Sequence, residues 1–128
     1  MADLISESLQ AYLESCTDAE PDYLRTIRLE TEQEVRSPHM LSGHYQGRLL
    51  ALISKILRPS KILEIGTYTG YSALCLAEGL QEGGKLITVE KDPVLEQRIL
   101  KNFSLAPAGQ NIQLITGDAH QVLQSLDF

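Results

Sequence analysis

The sequence predicts an α/β protein, with N-terminal helices followed by a parallel sheet, and three observations carry that expectation. Three apolar runs of strand length, "KILEIG", "KLITVE" and "NIQLIT", are each followed by a segment of helical period. Glycines and an Asp-Pro pair punctuate the changes of rhythm. The first 60 residues, by contrast, carry helical spacing alone. A β-α-β-α-β-α order implies parallel strands joined by right-handed crossovers. At 128 residues and 43% hydrophobic content the chain suits one domain able to bury a core, with 1–60 as a helical segment and 61–128 as the α/β part.

Leu4, Ile5, Leu9, Tyr12 and Leu13 recur at helical spacing behind Asp3, which predicts a capped amphipathic helix over residues 3–15. Pro21 suits a first helical position, and Tyr23, Leu24, Ile27 and Leu29 give the narrow stripe of a surface helix from Pro21 to Val35. "RSPHMLSG" breaks that pattern, because Pro38 restrains Ser37 to extended geometry. Leu49, Leu50, Ile53, Ile56 and Leu57 mark a third helix over 42–57, which Pro59 closes. "KILEIG" is the first strand and "GYSALCLAEGL" the helix after it. Gly83 and Gly84 lead into "KLITVE", and Asp92 with Pro93 opens the helix "DPVLEQRILKNFSLA". "NIQLIT" and "DAHQVLQSL" supply a last strand and helix.

Strands that alternate with helices in this way wind outward to one side of the first, in spatial order 3-2-1, whereas a ligand crevice at a switch point has strands on both sides. The expectation is therefore the N-terminal part of a larger domain, with "KILEIG" presenting an apolar, unpaired edge. An isologous dimer, or further residues, is expected to cover it.

Seventeen acids against eleven bases give a net charge of -6, which excludes a broad electrostatic footprint for nucleic acid or anionic membrane. Small-molecule partners are favoured. Cys16 and Cys75 lie far apart without a CxxC spacing and read as free thiols, Cys75 buried on a helix. The N-terminus has no signal-peptide pattern, and no run approaches the roughly 20 apolar residues of a membrane span, so a cytoplasmic chain is expected. His39, His44 and His120 have no metal-ligand spacing, and "LETEQEV" reads as a solvated helix face.

The chemistry lies in the turn after the first strand. Gly66 and Gly70 enclose "TYT", a G-x-x-x-G spacing that departs from the G-x-G-x-x-G of a dinucleotide fingerprint. A dinucleotide turn sets a pyrophosphate against helix N–H groups, and the carboxylate of Glu64 beside it opposes that charge. A cationic ligand is welcomed instead. Glu90 ends the second strand 24 positions past Gly66 (90 − 66), near the roughly 20 at which an acid meets ribose hydroxyls. S-adenosylmethionine, with a nucleoside at one end and a sulfonium and ammonium at the other, meets both conditions. A non-catalytic nucleoside-binding or assembly module is the alternative, and an NAD-dependent oxidoreductase the weakest reading.

"MLSGHYQGRLL", "LEIGTYTGYSALCLA", "ITVEKDP" and "GDAHQVL", in this order and spacing, resemble the metal-dependent, catechol-type and caffeoyl-CoA-type class I O-methyltransferases over about residues 38 to 128. The resemblance implies the first half of a Rossmann-like methyltransferase fold, S-adenosylmethionine as cofactor, and methyl transfer to a phenolic hydroxyl of a small molecule. It places Glu64, Gly66 and Tyr68 along the methionine portion of the cofactor and Ser72 at its amino-acid end. Glu90 falls on the ribose diol, with Lys91 beside the adenine. Ala119 and His120, after Gly117 and Asp118, form the adenine pocket, and Met40 and Ser42 cover the cofactor. The family's metal ligands, expected to hold Mg or a similar hard cation, and its base lysine come from segments beyond Phe128. The resemblance also implies a homodimer.

Overall fold

The structure is a computed structural model that describes residues 4–128. Asp3, expected to cap the first helix, lies outside the described residues. Helix α1 spans Glu7–Ser15, and the Ser6 hydroxyl caps it by accepting the Leu9 N–H. It buries none of its side chains. Helix α2 spans Asp22–Glu34, with Pro21 in the cap position just ahead of the helix. Leu24, Ile27 and Thr31, at i, i+3 and i+7, form its buried stripe, while the Leu29 side chain is exposed.

Helix α3, His44–Leu57, starts two residues later than its spacing predicts, after Gly43 at φ 81°. The apolar residues that announce this helix are not the ones it buries. Gly47, Ala51 and Ser54 face inward, whereas Leu49 and Ile53 stay 54% and 44% exposed. The reason is close approach to helix α4, Tyr71–Ala77: a Cβ on Gly47 would lie 2.7 Å from the Tyr71 ring and 2.9 Å from Cys75 Sγ. Arg48 on the same helix reaches Glu78 at 2.6 Å and Lys55 reaches it at 2.9 Å, fixing the helix pair at the far end. Cys75 is buried between them, which pushes its thiol up to about 12, and Cys16 is exposed; both are free.

Strands β1 (Lys61–Ile65), β2 (Lys85–Glu90) and β3 (Ile112–Thr116) form one parallel sheet in the order β1-β2-β3, as the alternation predicts. The register pairs Glu64 with Thr88 and Glu90 with Thr116. β2 is central and buried from Leu86 to Glu90, matching the near-continuous apolar run of a strand covered on both faces. Among the described residues β1 pairs with β2 alone, and Ile65 is 53% exposed, so the expected open edge is present.

The helix expected from Asp92 divides in two. Pro93–Leu95 is a 3-10 turn capped by Asp92, and α5 runs Glu96–Ser104. The helix ends two residues short of the expected Ala106, and a further 3-10 segment, Pro107–Asn111, follows it, with Gly109 packed so closely on the Phe103 carbonyl that a Cβ would meet it at 1.8 Å. Helix α6, Ala119–Ser125, is capped by Asp118. The core joins Leu24 and Ile27 of α2, Ala51 of α3, Tyr71 and Leu74 of α4, Leu86 of β2, and Ile99 and Phe103 of α5. Among the described residues no helix is long and apolar enough to cross a membrane.

Candidate functional site

The C-terminal ends of three adjacent parallel strands bring Glu64, Glu90 and Gly117 to one rim of the sheet. The turn that follows β1 sets its shape. Gly66, Tyr68 and Gly70 take φ of 90°, 54° and 88°, three left-handed residues in five. Gly66 has open space where a Cβ would stand, so only its backbone angle calls for glycine. Gly70 needs both the angle and the room, since a Cβ would lie 2.6 Å from Phe103 Cε1. The two threonines between them turn inward and are buried. Thr69 accepts a hydrogen bond from the Thr31 hydroxyl at 3.0 Å and, on its carbonyl, from the Asn102 amide at 2.8 Å, so α2 and α5 both grip the turn.

Glu64 lies inside this frame. Its Oε1 accepts from the Thr88 hydroxyl and its Oε2 from the Ser72 hydroxyl, each at 2.7 Å, and Thr67 meets Thr88 at 2.6 Å. Burial pushes its carboxyl above the usual range, the Ser72 and Thr88 hydrogen bonds oppose that, and the nearby Glu90 charge adds to it. Glu90 is held by main chain: Oε2 accepts the Tyr68 N–H at 2.7 Å and Oε1 the Asp92 N–H at 2.9 Å. Among the described residues neither carboxylate has an ion-pair partner. Two acids side by side without an ion-pair partner among the described residues make a rim that repels phosphate and attracts a cation.

The remaining predicted residues divide. Gly117 donates its N–H to the Glu90 carbonyl at 2.8 Å and continues the ladder past Thr116, which sets Gly117 beside Glu90, with Asp118 and Ala119 leading on into α6. The Asp118 carboxylate accepts the His120 N–H at 3.0 Å and caps α6, a structural task that occupies one of its oxygens. Lys91 and His120 are exposed. Met40 is 62% exposed in the 3-10 turn Pro38–Met40, and Ser42 follows it, half-buried. Ser37 is not extended as its place before proline predicts; it sits at φ 59°, with its carbonyl accepting a hydrogen bond from the Tyr68 hydroxyl at 3.1 Å. Thr67, Thr88, Thr31 and Asn102 are the residues that sequence reasoning missed. Thr88 had a signal, a hydroxyl two places before Glu90 inside an otherwise apolar strand.

A cavity of about 840 Å³ opens between α1, α2 and residues 38–46; Ser42 lines it, whereas Glu64, Ser72 and Glu90 do not. Among the described residues no three His, Cys, Asp or Glu side chains gather to hold a metal.

The sequence profile described as O-methyltransferase matches residues 13–127. The chain belongs to that O-methyltransferase family. A catechol O-methyltransferase of Niastella koreensis is 32% identical over 126 residues, which cover 98% of this chain and 57% of that protein. The SAH-bound Podospora anserina methyltransferase PaMTH1 superposes with a TM-score of 0.88 at 27% identity, over 100% of this chain and 55% of that one. TomG of Streptomyces achromogenes, an O-methyltransferase solved in complex with SAM, superposes at 0.85 with 27% identity, over 97% and 57%. This O-methyltransferase chain thus spans little more than half the length of such relatives. The chain, its three-stranded parallel sheet included, superposes on a little over half of each of these α/β methyltransferases.

Proposed function

We propose that this chain forms the cofactor-binding half of an S-adenosylmethionine-dependent O-methyltransferase that methylates a phenolic, catechol-like hydroxyl of a small molecule. The observation that carries the reading is the pair of unneutralised carboxylates, Glu64 and Glu90, on neighbouring strand ends beside a G-x-x-x-G turn. The donor chemistry fits. Each Glu90 oxygen accepts one backbone N–H and retains a lone pair for a ribose hydroxyl. Ser72 spends its proton on Glu64, so its oxygen faces a ligand as an acceptor, suited to the ammonium of a bound amino acid. When bound, S-adenosylmethionine supplies a sulfonium methyl for in-line displacement. This chain's residues hold and orient it, which lowers the entropic part of the barrier.

Gly66 and Tyr68 are proposed with Glu64 along the methionine portion, Met40 and Ser42 in a loop that covers the cofactor, and Lys91, Gly117, Asp118, Ala119 and His120 around the adenine. Among the described residues no cluster of His, Cys, Asp or Glu fits a divalent metal. Homodimerisation and a cytoplasmic location are part of the same proposal, supported by the open β1 edge and the two free cysteines. Isothermal titration tests it: S-adenosylhomocysteine is expected to bind in the micromolar range with no heat from NAD. Binding of NAD without S-adenosylhomocysteine overturns it.

A further inference from the structure

Among the described residues three non-glycine residues take positive φ, and two of them, Ser37 at 59° and Tyr68 at 54°, are joined by a hydrogen bond. Left-handed backbone at a residue with a side chain costs energy and persists where neighbouring contacts enforce it. Here the contact is the Tyr68 hydroxyl, which reaches over 30 positions back to donate to the Arg36 carbonyl at 2.9 Å and the Ser37 carbonyl at 3.1 Å. The N–H of the same residue donates to Glu90 Oε2 at 2.7 Å. One tyrosine therefore ties the acid at the end of β2, through the glycine turn, to the segment that runs on into Met40 and Ser42.

We propose that Tyr68 is a positioning residue whose hydroxyl holds the 36–42 loop across the amino-acid end of the cofactor site. This rests on the proposed cofactor reading for what lies beneath the loop, while the latch itself is a property of the free protein. The hydroxyl is the only part of the side chain the latch needs, so Tyr68→Phe removes it and keeps the ring. Loss of a bond of this kind is worth roughly three- to tenfold in an equilibrium.

The Arg36–Ser37 peptide is a trypsin site whose own carbonyl accepts the Tyr68 hydroxyl, so cleavage there reports directly on the latch. In unliganded protein, Tyr68→Phe is expected to raise the cleavage rate at Arg36 roughly three- to tenfold, read by mass spectrometry of the fragments. Cleavage after Lys55, within α3, is expected to stay unchanged. Equal rates at Arg36 in the two proteins overturn the latch, as does a rise at Lys55 as large as that at Arg36, which signals general loosening. In titrations the variant is expected to bind S-adenosylhomocysteine more weakly by a similar factor and 5′-methylthioadenosine, which lacks the amino-acid end, as well as the parent does. Equal losses for both ligands overturn the placement of the loop. If neither ligand binds the parent protein, the cofactor reading fails while the cleavage result still decides the latch.

Discussion

Glu90 gives the sharpest test of the site, because its carboxylate stands in the structure as a bridge between two turns before any ligand arrives. It accepts the Tyr68 N–H at 2.7 Å and the Asp92 N–H at 2.9 Å from a side chain that is 9% exposed. Hydrogen bonds to a charged acceptor contribute about 1.5–3 kcal/mol each. Glu90→Ala leaves both N–H groups without that partner; water entering the gap recovers part of the loss, so about 2–4 kcal/mol is expected. Glu90→Gln keeps one acceptor and points an amide at the second N–H, for about 1–3 kcal/mol. On a domain of this size 1 kcal/mol moves Tm by roughly 3–5 °C, so Glu90→Ala is expected to melt on the order of 10 °C lower, with Glu90→Gln between it and the parent. Circular dichroism of the unliganded proteins measures this. An unchanged Tm for Glu90→Ala, with only ligand affinity lost, would refute the bridge and leave Glu90 a ligand contact alone.

Glu64→Gln should act in the opposite direction. The folded carboxyl is held above its ordinary value, so the stability linked to its protonated form is complete below about pH 4.5 and is lost as pH rises through the raised value. The glutamine variant is therefore expected to be more stable than the parent at pH 7 and no more stable near pH 4, while binding S-adenosylhomocysteine less tightly; equal unfolding midpoints at pH 7 would sink this. The two turn glycines are expected to differ. Gly66→Ala bears a backbone cost of about 1–2 kcal/mol. Gly70→Ala adds the clash with Phe103 and is expected to lose about 2–4 kcal/mol. Matching urea midpoints for the two would show that Phe103 yields freely.

The fold was legible because its signals are local. Runs such as "KLITVE" and punctuation such as Gly83-Gly84 need no knowledge of what packs against them, and the strand order followed from chain direction alone. Burial was less legible. In α3 the leucines and isoleucines suggested the inner face, yet the small residues Gly47, Ala51 and Ser54 take it, because closeness to α4 is decided by a neighbour distant in sequence. At the site, Glu64 and Glu90 stood out as acids at strand ends. Thr88, Thr31 and Asn102 did not, since each acts through a partner that only tertiary structure supplies. Ser37 shows the same limit: the proline rule sets a local preference, and a hydroxyl from Tyr68 overrides it.

The bare outer margin of β1 has a consequence for handling the protein. Among the described residues the outward-facing amides and carbonyls of "KILEI" have no strand partner and offer a template to an extended apolar peptide, with Lys61 the charge left at the start of that strand to discourage it. Pairing of two copies along such a margin is a second-order process, so light scattering over a dilution series is expected to report smaller particles as the protein is diluted.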